Sequence, residues 1–211
     1  MIQQNKGNDA QQMILYVSQY IRYTFRDNSS LVPLQTELNQ VQNYYKLQKL
    51  NTRDSSELTI AADPAVSKFP VPMLCIQTFV ENSFKHGRIS SQPLNVHISV
   101  QLTETEEGNY LNISIQDNGT GFPDEFLQSF LQHTEDAVTG QHIGIHNLRQ
   151  RLTLLYGDQA GLICMNNSSG ALTEIILPIQ EEPNTSSETK SSLLSNENLF
   201  FIILEKRRNP E

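Results

Sequence analysis

The hydrophobic period changes along this chain of 211 residues, and that change constrains the possible folds more than any other feature. Apolar residues recur at helical spacing from 10 to 26, and a second helical stripe runs from about 33 to 53. Pro33 suits the first position of that second helix. From residue 94 onward, several short segments alternate with period two instead, which is typical of strands. The pattern predicts an α+β fold with a mixed sheet, preceded by a helical hairpin.

The region after the hairpin is predicted to contain eight further elements. We expect strands over 57–62, 94–102, 110–116, 162–166 and 171–179, and helices over 73–85, 123–132 and 144–156. The predicted domain organisation is a disordered lead over 1–9, a helical dimerisation or linker segment over 10–54, the main domain over 57–180 and a disordered tail over 181–211. The tail is rich in Ser, Glu and Asn, a composition typical of disorder.

Composition excludes some classes of function. The chain has 15 Lys and Arg against 23 Asp and Glu, a formal net charge of −8. Nucleic-acid and anionic membrane partners favour clustered basic residues, so neither is expected. The two cysteines are too few for a disulfide framework and suit a reducing compartment. No apolar run approaches the roughly 20 residues of a membrane span, so the composition predicts a cytosolic protein.

The predicted helix over 73–85 ends in a cluster of polar side chains. Glu81 and Lys85 are four residues apart, as are Asn82 and His86, so each pair shares a helix face. The cluster could supply a base, an oxygen ligand for Mg²⁺ and a cation that contacts phosphate. The alternative is a surface salt bridge between Glu81 and Lys85 with no chemical role.

A second polar segment follows the strand over 110–116. Asp117 is followed by Gly119 and Gly121, and two glycines one residue apart allow the backbone to approach a ligand closely. An aspartate at the end of a buried strand can accept a hydrogen bond from an amino group such as that of adenine. The alternative is a simple Asn-Gly turn. A dinucleotide-binding fingerprint is excluded because its third glycine position is occupied by Asp124.

The third segment opens the helix over 144–156. Gly144 lies where the first N–H groups of the helix are free and the positive end of the helix dipole attracts phosphate. The alternative is that Gly144 is only a turn residue. His142 and His146 could bind a metal from one helix face, but the sequence offers no evident third ligand.

The order of these segments resembles the GHKL (Bergerat) ATP-binding fold, a two-layer α/β sandwich. The stretches PMLCIQTFVENSFKHG and IGIHNLRQRLTLLYG are most similar to sensor histidine kinases of the LytS/YesM type. The stretch IRYTFRDNSSLVPLQTELNQVQNYYKLQKL resembles the helical segment that precedes the ATP domain in such kinases. The resemblance covers about residues 12 to 180.

This resemblance implies a role for each candidate residue. Glu81 would be the catalytic residue that activates the attacking group, and Asn82 would bind Mg²⁺. Lys85 and His86 would lie near the phosphates, and Gly144 with Asn147 would meet the nucleotide at the helix start. At the other end, Asp117 would bind the adenine amino group, and Gly119 and Gly121 would flank the base. The segment 123–143 would be a mobile lid over ATP. Because the chain is acidic, Mg²⁺ and Lys85 would provide the positive charge near the phosphates.

The sequence departs from the family pattern in three ways. His142-Ile143-Gly144 stands where the family has Gly-x-Gly, and Gly170-Ala171 stands where it has Gly-Thr, which removes a hydroxyl near the base. The phosphoacceptor histidine box is also absent, since all five histidines, at positions 86, 97, 133, 142 and 146, lie in the predicted ATP domain.

The resemblance therefore implies the cytoplasmic ATP-binding portion of a longer, membrane-anchored sensor kinase. ATP and Mg²⁺ are its expected cofactors, and the γ-phosphate would be transferred to a histidine outside this chain. A response regulator receiver domain and a second copy, paired through the N-terminal helices, are the expected partners. Two alternatives stay open: a GHKL ATPase in which Glu81 activates water, or a degenerate nucleotide-binding module that only dimerises.

Overall fold

The computed structural model describes residues 2–24, 31–52, 55–89, 92–105, 108–132 and 142–179. Its elements are α1 (Ile2–Thr24), β1 (Leu31–Pro33), α2 (Leu34–Thr52), β2 (Glu57–Ala62), β3 (Pro70–Pro72), α3 (Gln77–His86), β4 (Asn95–Thr105), β5 (Gly108–Asp117), α4 (Asp124–Gln132), α5 (Ile143–Tyr156), β6 (Gly161–Asn166) and β7 (Ala171–Pro178). The predicted turn at 27–30, residues 133–141 of the predicted lid and the predicted tail at 181–211 lie outside the described residues.

The main sheet has five strands in the order β2-β4-β5-β7-β6. β2 pairs parallel with β4, and the remaining neighbours pair antiparallel. The prediction of a mixed sheet and an α+β fold is therefore confirmed. Leu111, Ile113 and Ile115 of β5 are buried on one face and join the core that the helices cover, so the predicted alternation along this strand is confirmed as well.

The two helices before the domain form the predicted antiparallel hairpin. Tyr20 of α1 lies against Tyr44 of α2, with ring centroids 6.1 Å apart, while Tyr16 lies 6.0 Å from Lys46 Nζ. The partner's residue number rises along α2 as the residue number falls along α1, which requires antiparallel packing. Leu34, Leu38 and Val41 of the predicted α2 stripe are buried in the same core as the sheet, so the hairpin and the domain share one core. No described helix is both long and apolar enough to cross a membrane.

Three features of the structure correct the sequence prediction. α1 begins at Ile2, so the helix includes most of the lead over 1–9 that was predicted to be disordered. Gln and Lys are good helix formers, and the backbone can continue the helix without apolar spacing. α3 begins at Gln77 instead of residue 73 because residues 73–76 form a turn in which Leu74 adopts a φ of 64°.

The third correction is a small second sheet that sequence pattern does not predict. β1 and β3 pair antiparallel, with Val32 opposite Val71 at the centre of the register. The two strands contain three prolines in six residues, and proline interrupts strand patterns. The pairing connects the start of α2 to the segment that leads into α3.

Candidate nucleotide site

A cleft opens between α3 and the inner face of the sheet, at the end where β5 leads into its glycine-rich turn. Its walls are formed by Phe79, Asn82, Ser83, His86, Gly87, Ile115, Asp117, Thr120, Gly121, Phe122, Pro123, His142, Ala171 and Thr173. Four of the predicted site residues line this cleft: Asn82, His86, Asp117 and Gly121. The other five lie around it without forming its walls: Glu81, Lys85, Gly119, Gly144 and Asn147.

Asp117 is buried at the end of β5, and its carboxylate accepts three described hydrogen bonds. Oδ1 accepts from the N–H groups of Gly119 at 2.9 Å and Ala171 at 3.2 Å. Oδ2 accepts from the hydroxyl of Ser83 at 2.5 Å. A carboxylate offers about four acceptor positions, so one position remains at Oδ2. Asp117 can therefore accept a hydrogen bond from an amino group that enters the cleft.

Gly119 allows the turn after β5 to dock against the end of α3. A Cβ at position 119 would lie 2.2 Å from the carbonyl oxygen of Gly87, which is closer than atoms can approach. The next residue, Thr120, donates its N–H to that same carbonyl at 3.1 Å and its hydroxyl to the carbonyl of His86 at 3.1 Å. Gly119 therefore shapes the cleft indirectly, by bringing β5 and α3 together.

Gly121 is required at the next bend of the turn. Its φ is +78°, and a Cβ there would lie 2.6 Å from Oδ1 of Asn166. The amide of Asn166 binds both backbone groups of Phe122, accepting from its N–H at 2.7 Å and donating to its carbonyl at 2.8 Å. β6 thereby holds the turn in place, and the buried Phe122 closes one side of the cleft.

Asn82 brings an amide oxygen to the wall of this cleft. It lies on α3, is half-buried and precedes Ser83, whose hydroxyl binds Asp117. Its amide oxygen matches the oxygen ligands that Mg²⁺ prefers, and Mg²⁺ usually keeps several waters besides one or two protein ligands. The described residues include no cluster of three or more His, Cys, Asp or Glu side chains with metal-binding geometry. A Mg²⁺ ion here would therefore depend on Asn82, water and the phosphates of a ligand.

Glu81 and Lys85 form the salt bridge that the spacing predicted. Lys85 Nζ lies 2.7 Å from Glu81 Oε2, and the lysine side chain is 56% exposed. Glu81 Oε1 also accepts hydrogen bonds from the hydroxyl of Tyr20 and the amide of Gln77, each at 2.9 Å. These contacts place Glu81 on the side of α3 that faces the hairpin.

The start of α5 lies beside α3. Gly144 and Asn147 are exposed, and a Cβ at position 144 would lie 3.2 Å from Cγ2 of Thr78 on α3. The first N–H groups of any helix lack partners within it, so those at the start of α5 are oriented to bind an anion.

His142 precedes α5, and its ring centroid lies 4.3 Å from that of Phe126 on α4. Burial and the neighbouring His86 and His146 lower the pKa of His142, which favours the neutral imidazole. Among the described residues, no third His, Cys, Asp or Glu side chain joins His142 and His146 in a group that could hold a metal ion.

Sequence reasoning assigned no role to three hydroxyl side chains that line the cleft, Ser83, Thr120 and Thr173. Ser83 lies within the quoted polar cluster but was assigned no role, although it contacts Asp117 directly. Thr173 is buried in the cleft wall, two residues after Ala171 on the same face of β7. Ala171 replaces the family's threonine and its hydroxyl, but Thr173 provides a hydroxyl in the same cleft wall. Strand alternation in β7 was the signal that could have identified Thr173.

Comparisons with known proteins agree with this geometry. Residues 71–183 match the family described as histidine kinase-, DNA gyrase B-, and HSP90-like ATPase, and residues 1–56 match a histidine kinase family. The catalytic domain of histidine kinase ThkA has a similar fold, with a TM-score of 0.51 at 12% identity over 71% of this chain and 96% of that one.

Three curated relatives are sensor kinases. An uncharacterized sensor-like histidine kinase of Staphylococcus epidermidis is 32% identical over 81% of this chain and 33% of its own length. Sensor protein LytS of Oceanobacillus iheyensis is 30% identical over 80% of this chain and 29% of its own length. Sensor protein kinase HptS of Staphylococcus aureus is 28% identical over 81% of this chain and 32% of its own length.

The chain thus spans about a third of the length of these relatives. The family match covers more than half of the chain and includes the whole cleft, from α3 to β7. On these grounds the chain belongs to the histidine kinase-, DNA gyrase B-, and HSP90-like ATPase family, and within it to the sensor histidine kinases.

Proposed function

We propose that this chain binds Mg²⁺-ATP in the cleft and promotes transfer of the γ-phosphoryl group to a histidine outside the chain. The observation that best supports this is the carboxylate of Asp117, which is buried, surrounded by donors and left with one acceptor position toward the cleft. That position suits the exocyclic amino group of adenine. Gly119 and Gly121 would flank the base.

The remaining residues would bind the phosphate end of the nucleotide. Asn82 would hold Mg²⁺ through its amide oxygen, and His86, which also lines the cleft, would lie near the phosphates. Gly144 and Asn147 would meet the phosphates at the start of α5, where the helix dipole is positive. Lys85 would turn from its salt bridge with Glu81 toward the phosphates. ATP supplies the phosphoryl group, and Mg²⁺ offsets the charge that a −8 chain cannot.

Glu81 would act as the general base. It would accept the proton that the attacking imidazole loses as a nitrogen–phosphorus bond forms and the bond from phosphorus to the ADP oxygen breaks. In the structure, Glu81 faces the hairpin, so this role requires its side chain to turn toward the cleft.

The matches to sensor kinases support a wider proposal about the parent protein. We expect a receiver domain of a response regulator as the final phosphoryl acceptor, and a second copy of the chain as a partner through α1 and α2. We further propose that the chain lies on the cytoplasmic side of a membrane-anchored receptor. The names of two relatives, Sensor protein LytS and Sensor protein kinase HptS, support a role in sensing.

The direct test is nucleotide affinity in two site variants. Asp117→Asn replaces an acceptor with an amide, and Asn82→Ala removes the proposed Mg²⁺ ligand. Hydrogen bonds to charged groups contribute about 1.5–3 kcal/mol, so we expect Asp117→Asn to raise the Kd for Mg²⁺-ATP by about 10- to 100-fold. Asn82→Ala should weaken binding in the presence of Mg²⁺ and have little effect without it. Isothermal titration calorimetry measures both.

Asp63→Asn is the matched control, because Asp63 caps a short 3₁₀ helix remote from the cleft and asparagine caps equally well. Unchanged affinity in both site variants would overturn the site. Incubation with γ-labelled ATP tests the acceptor: stable label on the chain would contradict a histidine outside it. Release of free phosphate that is abolished by Glu81→Ala would favour the ATPase alternative.

A further inference from the structure

Two tyrosines of α1 each donate a hydrogen bond to a carboxylate beside α3. The hydroxyl of Tyr20 binds Glu81 Oε1 at 2.9 Å, and the hydroxyl of Tyr23 binds Glu37 Oε2. The two tyrosines are three residues apart, so they share one face of α1. α1 therefore contacts α3 directly through Glu81 and contacts α2 through Glu37.

Glu81 and Asn82 are neighbours on α3 but face different ways. Successive residues of a helix are rotated by about 100°, so Asn82 lines the cleft while Glu81 faces the hairpin. Both oxygens of Glu81 are engaged, Oε1 by Tyr20 and Gln77, and Oε2 by Lys85. These three donors hold the carboxylate in place on the hairpin side of α3.

Glu37 fastens the other end of the same helix. Its carboxylate is fully buried and accepts the N–H groups of Leu74 at 3.0 Å, Ile76 at 3.2 Å and Gln77 at 3.2 Å. Three of its four donors thus belong to the turn before α3 and to the first residue of the helix, and only Tyr23 belongs to α1. α3 would keep this attachment to α2 if α1 moved.

We propose that Tyr20 is a positioning residue through which α1 holds Glu81 away from the cleft, so that a displacement of α1 releases the carboxylate toward the nucleotide. This inference rests on the proposed function of Glu81 as the base. Its consequence is regulatory: movement of α1, the helix farthest from the cleft in the chain order, would alter the rate of phosphoryl transfer more than the affinity for ATP.

The contact can be followed by nuclear magnetic resonance of the full chain with ¹³Cζ-labelled tyrosine. Tyr20→Phe and Tyr16→Phe assign the two signals, and Glu81→Ala defines the position of the Tyr20 signal without its acceptor. We expect the Tyr20 signal of the wild-type chain to lie away from its position in Glu81→Ala, with or without Mg²⁺-ATP, and the Tyr16 signal to be the same in both chains. Because the pKa of Tyr20 is raised to about 12 by burial and by Glu81, its hydroxyl stays protonated throughout.

Kinetics provide the second readout. The kinetic assay includes a histidine-bearing acceptor added in trans, because the proposed acceptor lies outside this chain. Tyr20→Phe should leave the Kd for Mg²⁺-ATP within about twofold and raise the single-turnover rate of γ-phosphoryl transfer to that acceptor by about tenfold or more, the effect of one hydrogen bond to a charged group. Tyr16→Phe, on the same helix face near Lys46, should change neither value.

A Tyr20 signal at the same position in the wild type and in Glu81→Ala would overturn the inference, as would equal rates in Tyr20→Phe and Tyr16→Phe. Failure of the proposed function is recognised separately. In that case the wild-type chain does not bind Mg²⁺-ATP by calorimetry, or Asp117→Asn binds it as tightly as the wild type.

Discussion

At the scale of single residues, Glu37 is the most consequential side chain outside the cleft. It is fully buried, and it lies 37 and 40 positions before Leu74 and Gln77, whose N–H groups it binds. Burial raises the pKa of the Glu37 carboxyl, and its hydrogen bonds with Tyr23 and the three N–H groups oppose that rise. The residue replaces the side-chain cap that α3 lacks at its own N-cap position, Ile76.

Glu37→Gln tests this role in stability. One edge of the amide would present N–H groups to backbone N–H groups, so buried donors would lose their acceptor. We expect the free energy of unfolding to fall by about 2–3 kcal/mol, measured by urea denaturation. Glu57→Gln, at an exposed position of β2, is the control and should change stability by no more than about 0.5 kcal/mol. Equal effects of the two substitutions would contradict the capping role.

At the scale of elements, the glycine-rich turn joins three parts of the molecule. It follows β5, docks on the end of α3 through Thr120, and is held by Asn166 of β6. Gly170, at the start of β7, adds a further close approach, since a Cβ there would lie 2.5 Å from the carbonyl oxygen of Asp117. The cleft exists because these segments meet within hydrogen-bond distance of one another.

Gly119→Ala should separate the turn from α3. The added methyl group would collide with the carbonyl of Gly87, and overpacking of this kind costs about 1–3 kcal/mol. We expect a Kd for Mg²⁺-ATP at least about tenfold higher, because Asp117 moves with the turn. Calorimetry for affinity and thermal unfolding for stability measure the two effects.

The matched control is Gly157→Ala, after α5. It adopts a φ of +58° and a ψ of −135°, and a Cβ would meet no heavy atom within 4 Å, so alanine there would bear only backbone strain of about 1–3 kcal/mol. It should lose stability and keep nucleotide affinity. If Gly119→Ala bound nucleotide as tightly as Gly157→Ala, the docking of the turn would be irrelevant to the cleft.

At the scale of the whole molecule, the hairpin and the sheet domain share one hydrophobic core. Tyr23 of α1 and Val41 of α2 belong to it together with Ile113 of β5 and Ile145 of α5. A hairpin joined to a domain in this way can transmit a displacement to it. The opposite side of α1 is apolar and exposed, with Ile14 at 67%, Leu15 at 51% and Ile21 at 47%.

This exposed stripe predicts self-association through α1, because contiguous exposed apolar surface commonly marks an interface. We expect the chain to sediment as a dimer and the double variant Ile14→Glu and Leu15→Glu to sediment as a monomer in analytical ultracentrifugation. Leu154→Glu, at an 86% exposed position of α5, is the control and should remain dimeric. A wild-type chain that is monomeric at high concentration would contradict the prediction.

Two patterns that depend on interactions between residues near in the sequence are confirmed, whereas two features that depend on distant residues were not predicted. The helical stripe of α2 and the alternation of β5 depend on neighbouring residues, and both are confirmed. The start of α3 and the β1–β3 pair were not predicted, because they depend on Glu37 and on pairing between segments about 40 residues apart. Of the candidate site, Asn82, His86, Asp117 and Gly121 line the cleft as a set. Ser83 and Thr173 were missed because the role of a hydroxyl depends on partners distant in the sequence, as Asp117 is for Ser83.

The sequence by itself determined the hydrophobic periods, the positions that only glycine can occupy and the chemical groups available for a nucleotide, since these properties belong to residues and their near neighbours. Only the tertiary structure decided which way those groups face. Glu81 meets Tyr20 across 61 positions of the chain, and it lies on the hairpin side of α3 while Asn82 lies in the cleft. The physical reason is that a side chain's direction follows from the helix rotation and from partners distant in sequence, and local pattern contains neither.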